Sequence, residues 1–198
     1  NGDVDIHAKT ASDVYGIPLE DVTKDQRRDA KVINFGVLYG MSPHGLSAAT
    51  GMTFTQAKQF IDQYFTLRAP IRQYIDATLE KARVEGYVET YFGRRRPTPD
   101  IKSSNFMVRQ SAERAAANMP IQGTEADLMK RAMIVVDQML SDRADQLLQI
   151  HDSILVECNE SDAEDIANQM RDIMENIAPE LPIRLRVDVS VGDNWGEA

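Results

Sequence analysis

Apolar residues recur every three or four positions over most of the first 140 residues, the spacing that places them on one face of a helix. This pattern predicts helices over 5–15, from Thr23 to Gly40, over 42–50, and from Thr53 to Gly86 with an interruption at Pro70. Thr23, and either Thr53 or Thr55, are the expected N-caps. Residues 103–140 predict a further helical stretch with a kink or a break near Pro120 and Gly123, because proline removes a backbone donor and clashes with the preceding turn.

Strand patterns occur mainly in the second half of the chain. "YVETYFGRRRPTPD" (87–100) predicts a hairpin, "LLQIHDSILVEC" (147–158) a tight hairpin around a polar centre, and "IRLRVDVSVG" (183–192) a final strand. An amphipathic helix that begins with acidic residues is expected over 160–177. Helices followed by mixed strands and helices predict an α+β fold with a helical front portion.

The net charge of −9 alone argues against a nucleic-acid partner, but the charged residues are unevenly distributed along the chain. Residues 1–140 carry 18 basic and 17 acidic side chains, whereas residues 141–198 carry 4 and 14. Within 91–114 there are six cations against two acids. An acidic protein of this kind can still present a basic surface to phosphate groups.

Chain length, cysteine content and the length of apolar runs further limit the class of protein. At 198 residues the chain is long enough for one good-sized domain or two small ones. The single cysteine, Cys158, excludes an intramolecular disulfide and fits a reducing compartment. Since no apolar run approaches the roughly 20 residues that a bilayer requires, we expect no membrane span. The chain starts with Asn1, so we expect it to be a piece of a longer protein.

Four side chains at a spacing of four form the most informative pattern: Arg27, Lys31, Phe35 and Tyr39. On a helix they trace one slowly winding stripe about 18 Å long, the scale of a nucleoside triphosphate. Cations bind phosphate, and an aromatic ring offers a base or sugar a flat surface. The spacing alone also fits a solvated basic face followed by aromatics anchored in the core.

The sequence around this stripe, "RRDAKVINFGVLYG" (27–40), resembles the nucleotide-binding motif R-x(3)-K-x(3)-F-x(3)-Y-G of family A DNA polymerases. Further segments resemble the same family in the same order: "DIH" (5–7), "YVETYFGRRRPTPDI" (87–101), "AERAAANMPIQGTEADLMKRAM" (112–133), "QIHDSILVE" (149–157) and "VSVGDNW" (189–195). The resemblance implies a fingers subdomain over 1–90, with its nucleotide-binding helix at about 24–40. It also implies the C-terminal part of a palm over 91–198, with a catalytic hairpin at about 147–158 and the final strand.

By this resemblance, Arg27 and Lys31 hold the triphosphate of the incoming nucleotide, and His7 assists them. Phe35 packs on the sugar and base. Tyr39 covers the templating position in the open state, contacts DNA, and swings away as the fingers close.

A second polar stripe consists of Arg114, Asn118 and Gln122, again at a spacing of four. The resemblance implies that they contact the primer–template duplex, where amide and guanidinium donors reach minor-groove acceptors. The spacing alone fits a solvated stripe equally well. Arg94, Arg95 and Arg96 fit either general phosphate contacts or a solvated turn.

Asp152, at the tip of the second predicted hairpin, is the expected catalytic carboxylate and metal ligand, with His151 beside the primer terminus. The implied cofactor is Mg²⁺, as two ions in the complete enzyme. The family usually has His-Asp-Glu here, whereas this chain has Ser153 in the third place. The hypothesis is that serine alters metal affinity or primer positioning without abolishing catalysis.

The implied function is template-directed DNA synthesis, by nucleotidyl transfer from a dNTP to a primer 3′-OH, as part of a longer enzyme. The other metal-bridging aspartate of the family would precede Asn1, so we predict that the 198-residue chain alone does not extend a primer. The alternatives are a non-catalytic nucleic-acid-binding domain and a plain helical scaffold. Expected partners are primer–template DNA and dNTP. We expect a monomer in the cytoplasm of a bacterium, at the nucleoid, with a phage or organelle source left open.

Overall fold

Helices form the first part of the chain, as the apolar spacing predicts. The computed structural model describes residues 5–38 and 40–197, of which Val37 and Leu38 are described by their backbone only. The helices are α1 (Ile6–Tyr15), α2 (Lys24–Leu38), α3 (Pro43–Thr50), α4 (Phe54–Leu67) and α5 (Ala69–Glu85). A short 3-10 helix, Leu19–Asp21, connects α1 to α2.

The predicted N-caps are confirmed. The Gln26 N–H donates to Thr23 Oγ1 at 3.2 Å, and the Thr23 N–H donates to Gln26 Oε1 at 2.9 Å. Thr53 and Gln56 form the same reciprocal pair at the start of α4, so Thr53 is the cap there. The break between α4 and α5 falls at Arg68, which places Pro70 in the first turn of α5. Proline is tolerated there because a first-turn N–H has no intrahelical partner.

Strands and helices alternate in the second part of the chain. Strands β1 (Tyr87–Glu89) and β2 (Arg95–Pro97) pair antiparallel, followed by the 3-10 helix Pro99–Lys102 and by α6 (Phe106–Leu140). Strands β3 (Ala144–Ile150) and β4 (Ser153–Cys158) form a second antiparallel pair, with a bulge between Gln146 and Leu148. The 3-10 helix Glu160–Asp162 leads into α7 (Ala163–Glu175). Both hairpins and the α+β fold class are confirmed.

The sequence predicts a kink or a break near Pro120 and Gly123. A break is wrong, because α6 continues through both residues, and a kink there stays a prediction. An interior proline costs about 3 kcal/mol relative to alanine. The helix is buried on both sides of this point: Ala116 and Met119 pack in one apolar cluster, and Val136 and Leu140 in another. Packing of this kind outweighs a single unfavourable residue, which the local sequence signal does not show.

The predicted final strand over 183–192 is not formed, since no strand among the described residues pairs with it. The segment keeps the alternation of a strand, with Leu185, Val187 and Val189 half-buried and the residues between them exposed. The Val187 N–H instead donates to the Glu175 carboxylate at 3.2 Å. A strand requires a neighbouring backbone to accept its hydrogen bonds, and alternation alone does not supply one.

The chain divides into two compact units, one up to Ile121 and one from Gln122 onwards. The first unit contains a cluster of Val14, Ile33, Leu46, Ala57, Phe60 and Tyr64, and another of Ala82, Val88, Ile101, Ala116 and Met119. The second unit contains a smaller cluster of Val136, Leu140 and Ile166, against which the β3–β4 hairpin packs. This division rests on contacts, so the fingers and palm boundaries at 90 and 91 stay a prediction.

None of the helices in residues 5–38 and 40–197 combines the length and the hydropathy needed to cross a bilayer.

Ile33 is the largest of the fully buried side chains in this structure, at 0% exposure on α2. We predict that Ile33→Ala lowers the free energy of unfolding by about 2–5 kcal/mol, because it removes buried methyl groups and leaves a cavity. Urea denaturation followed by far-ultraviolet circular dichroism measures this change. The matched control is Ile6→Ala, since Ile6 is 64% exposed and its truncation should cost about 0.5 kcal/mol or less. Equal losses for both variants would contradict the assignment of Ile33 to the core.

Candidate functional site

The stripe on α2 faces solvent in the part that the structure describes. Lys31 is exposed, Arg27 is about half-exposed, and the Phe35 ring is 53% exposed. Ala30 and Ile33, on the opposite side of the helix, are fully buried. The alternative that places the first of these rings in the core is therefore wrong. Tyr39 lies outside the described residues.

Asp5 joins the start of α1 to Arg27. Its Oδ1 accepts hydrogen bonds from the His7 and Ala8 backbone N–H groups at 2.9 and 3.1 Å and so caps α1. Its Oδ2 accepts from Arg27 Nε at 2.6 Å. The Arg27 guanidinium, followed by the capping N–H groups, lowers the pKa of Asp5 to about 2. One carboxylate thus fixes both the helix end that carries His7 and the side chain of Arg27.

His7 lies beside Phe35 in this arrangement. The two ring centroids are 5.8 Å apart, with the planes tilted by 44°. Burial lowers the pKa of the His7 imidazole; the Asp5 charge opposes this effect, and the charges of Arg27 and Lys31 add to it. The structure therefore groups an imidazole, two cations and an exposed ring along α1 and α2. This combination suits an anion that is attached to a planar or sugar-like group.

The end of α2 is closed by glycines whose role the sequence did not show. The Met41 N–H donates to the Gly36 carbonyl at 2.8 Å, and Gly40 has a φ of +65°, as in a Schellman cap. A Cβ on Gly36 would lie 2.6 Å from Met41 Sδ, and one on Gly40 would lie 2.8 Å from Arg114 Cγ. Met41 therefore packs closely against Gly36, and the aliphatic part of the Arg114 side chain packs against the end of α2.

The second polar stripe lies on α6. Arg114 and Asn118 are half-buried and belong to the first unit, whereas Gln122 is exposed and begins the second. Arg114 Nη1 donates to Gln110 Oε1 at 3.2 Å. Of the three arginines in the first hairpin, Arg95 lies over the Tyr87 ring at 4.4 Å and pairs with Glu89 at 3.5 Å. These contacts give Arg95 a structural role within its own hairpin.

Asp152 occupies the two-residue turn of the β3–β4 hairpin together with His151, and both side chains are exposed. His151 has a φ of +51°, the sign that the primed hairpin turns require at their first central position. Gln149 Nε2 donates to the His151 carbonyl at 2.5 Å, and Ser153 Oγ donates to the Ile150 carbonyl at 2.8 Å. Ser153 therefore uses its hydroxyl hydrogen to close the turn that presents Asp152.

The described residues do not by themselves bring together a three-ligand metal site. Across residues 5–38 and 40–197, no three His, Cys, Asp or Glu side chains come close enough together to hold an ion. Asp152 fits one ligand position of Mg²⁺, which prefers carboxylate oxygens and keeps several waters. Ser153 adds a neutral hydroxyl oxygen next to it.

Comparison with known proteins identifies the family of this chain. The sequence profile of DNA polymerase family A matches residues 1–197. The chain is 45% identical to DNA polymerase I of Pseudomonas aeruginosa over 199 residues, 99% of the chain and 22% of that protein. It is 46% identical to the thermostable DNA polymerase I of Thermus aquaticus over 192 residues, 96% of the chain and 23% of that protein. The chain thus spans less than a quarter of the length of these curated relatives.

Among solved structures, the chain resembles the POL domain of Pol1 from M. smegmatis, in complex with DNA primer–template and dNTP. The TM-score is 0.91 at 40% sequence identity, over 98% of this chain and 35% of the other. The fold, the order of the motifs and the full-length profile match agree, and the chain belongs to DNA polymerase family A.

Proposed function

We propose that this chain forms the nucleotide-binding fingers (1–90) and the C-terminal part of the palm (91–198) of a DNA-directed DNA polymerase. The reaction is template-directed transfer of a nucleotide from dNTP to a primer 3′-OH. One observation carries the proposal: Arg27, Lys31, His7 and the exposed Phe35 ring lie together along α1 and α2. The bound primer–template and dNTP of the M. smegmatis relative support the same partners for this chain.

In this proposal the triphosphate lies across the ends of Arg27 and Lys31. Asp5 accepts from Nε of Arg27 in the structure. The same guanidinium carries two Nη groups, whose planar arrangement suits bidentate binding to phosphate oxygens. Phe35 supplies the flat surface for sugar and base, and His7 donates from the neighbouring helix. Tyr39 covers the templating position, in the part of the chain that is not described.

Duplex DNA is assigned to the stripe of Arg114, Asn118 and Gln122 and to His151 near the primer end. The contact between Gly40 and the Arg114 stem supports this assignment, because it brings a proposed DNA-binding residue to the end of the proposed nucleotide-binding helix. We also propose a monomer in the bacterial cytoplasm, as expected from the sequence and from the bacterial relatives.

In this proposal Asp152 is the catalytic and metal-binding residue. Divalent ions, Mg²⁺ in this proposal, supply activation of the primer hydroxyl and neutralisation of the triphosphate when bound. The turn fixes the Asp152 carboxylate in an exposed position at the hairpin tip. The alternative of a non-catalytic nucleic-acid-binding domain is favoured by Ser153, whose hydroxyl hydrogen goes to the turn and which adds no charge beside Asp152.

We predict that the chain binds primer–template DNA with an affinity that falls steeply as salt rises, because phosphate contacts release counterions. Arg114→Gln should weaken binding and reduce the slope of log affinity against log salt by about one. Fluorescence anisotropy with a labelled duplex measures both effects. Arg72→Gln is the matched control, since Arg72 forms an exposed pair with Asp76 on α5. Salt-independent binding, or the same slope for both variants, would contradict a phosphate-binding surface and favour a helical scaffold.

Catalysis can be tested in a chimera in which this chain replaces the matching segment of Thermus aquaticus DNA polymerase I. Asp152→Asn should slow primer extension by at least roughly a hundredfold, because a metal-binding carboxylate contributes several kcal/mol to transition-state stabilisation. Asp145→Asn, an exposed change on β3 of the same hairpin, should leave the rate unchanged. We predict no extension by the 198-residue chain alone. An active Asp152→Asn chimera would support the binding-domain alternative.

Ser153 has its own test in the same chimera. Ser153→Glu adds a carboxylate next to Asp152, so we expect half-maximal extension at a several-fold lower Mg²⁺ concentration. Ser153→Ala is the control, because it removes the turn hydrogen bond without adding charge. If Glu and Ala variants both keep the original Mg²⁺ dependence, Ser153 is incidental to the metal.

A further inference from the structure

Asn34 links α2 to α1 through its side-chain amide. Its Nδ2 lies 3.0 Å from His7 Nδ1 and donates to Thr10 Oγ1 at 3.1 Å. Thr10 is fully buried, and its Oγ1 also accepts from Arg68 Nη2 at 2.9 Å. The Thr10 hydroxyl itself donates to the Ile6 carbonyl at 2.8 Å. Asn34 is thus one member of a hydrogen-bonded network that ends at His7.

This network determines which nitrogen of His7 carries the proton. The single hydroxyl hydrogen of Thr10 has two acceptors within reach, the Ile6 carbonyl at 2.8 Å and Asn34 Oδ1 at 3.2 Å. The Ile6 carbonyl is the nearer of the two, so we assign the hydrogen to it, and Thr10 then faces Asn34 Nδ2 as an acceptor. The amide of Asn34 therefore presents N–H groups on this side, and one of them lies against His7 Nδ1. A ring nitrogen that accepts a hydrogen bond is unprotonated, which places the proton of a neutral His7 on Nε2.

The charges around His7 favour the neutral ring. Asp5 lies on the same helix end, while Arg27 and Lys31 approach from α2. Burial of the imidazole and the two cations lower its pKa below the ordinary value of 6.5, and Asp5 only partly opposes them. The lowered pKa favours the neutral form of His7, which offers phosphate a hydrogen bond rather than a charge.

We propose that Asn34 is a positioning residue, which holds His7 as the Nε2–H tautomer so that this N–H donates to an oxygen of the bound triphosphate. Asn34 acts through His7 and needs no contact with the nucleotide. The opposite tautomer would turn a lone pair towards the phosphate oxygens and repel them. The inference rests on the proposed nucleotide site but concerns a property of the ligand-free protein.

The tautomer can be measured directly by long-range ¹H–¹⁵N correlation spectra of the full 198-residue chain at pH 8. The unmodified chain should show His7 as the Nε2–H form. Asn34→Asp replaces the amide donor with an acceptor, so it should convert His7 to the Nδ1–H form and raise the pKa of the imidazole. Asn168→Asp is the control, because Asn168 is an exposed residue of α7 in the other unit.

The functional consequence is measured by calorimetric titration with inorganic tripolyphosphate at pH 8. Asn34→Asp should weaken binding by roughly tenfold, the size of one hydrogen bond to a charged group. In a His7→Gln background the same change should cost clearly less, since an amide donates whatever residue 34 carries. This coupling separates the tautomer effect from the added negative charge and from any general loss of structure.

Both measurements can contradict the role proposed for Asn34. An Nδ1–H form in the unmodified chain overturns the inference, and so does an equal cost of Asn34→Asp with and without His7. Both results leave the nucleotide site intact if Arg27→Gln still abolishes tripolyphosphate binding. If Arg27→Gln has no effect on that binding, the proposed function fails at this site and the role of the tautomer fails with it.

Discussion

The packing of α1 against α2 is the contact on which the proposed nucleotide-binding surface depends. His7 on α1 and Phe35 on α2 are 28 positions apart in sequence and lie beside each other only because these two helices pack side by side. Burial of Val14 and Ile33 in the same apolar cluster provides the stabilisation, at about 1.5–3 kcal/mol for each large aliphatic side chain. The exposed pair of Asp5 and Arg27 contributes little to stability by comparison, since such pairs are screened by water. Apolar contact therefore holds the helices together, and the polar contacts orient the side chains that are proposed to bind phosphate.

The periodicity of the sequence predicted the helices and placed the residues of the stripe on one helix face. It gave no information about contacts between elements. The spacing of Arg27, Lys31 and Phe35 placed them on one face, and the buried Ile33 follows from the same helix. The residues that contact this face could be identified only from the fold. Asn34 beside His7, Met41 against Gly36 and the Arg114 stem against Gly40 each join residues of different elements or turns. A single sequence carries no signal for such pairs, since any of several polar or small residues satisfies the local pattern.

The two wrong predictions have a common physical cause. A proline signal at Pro120 and a strand signal at 183–192 are local preferences of about 3 kcal/mol or less, and each depends on what surrounds it. Burial on both sides keeps α6 continuous through the proline. The alternating segment, by contrast, has no neighbouring strand among the described residues, and Glu175 accepts one of its backbone N–H groups. Tertiary context determined both outcomes. Packing preserves a helix at Pro120 against the local preference, whereas the segment 183–192 lacks a strand neighbour among the described residues and forms no strand.

The β3–β4 turn shows the same interplay between local cost and surroundings, and here it bears on function. A left-handed backbone at a residue other than glycine costs roughly 1–2 kcal/mol, and His151 adopts it with a φ of +51°. The hydrogen bonds from Gln149 and Ser153 to carbonyls of the turn oppose that cost. Glycine at 151 would relieve the strain but would also let the turn move. A histidine in this conformation restricts the turn that carries Asp152, which suits the proposed catalytic role because a carboxylate that positions reacting atoms needs a defined direction. The serine that departs from the family pattern takes part in that fixation, so its hydroxyl has a structural reason to be there beyond any contact with metal.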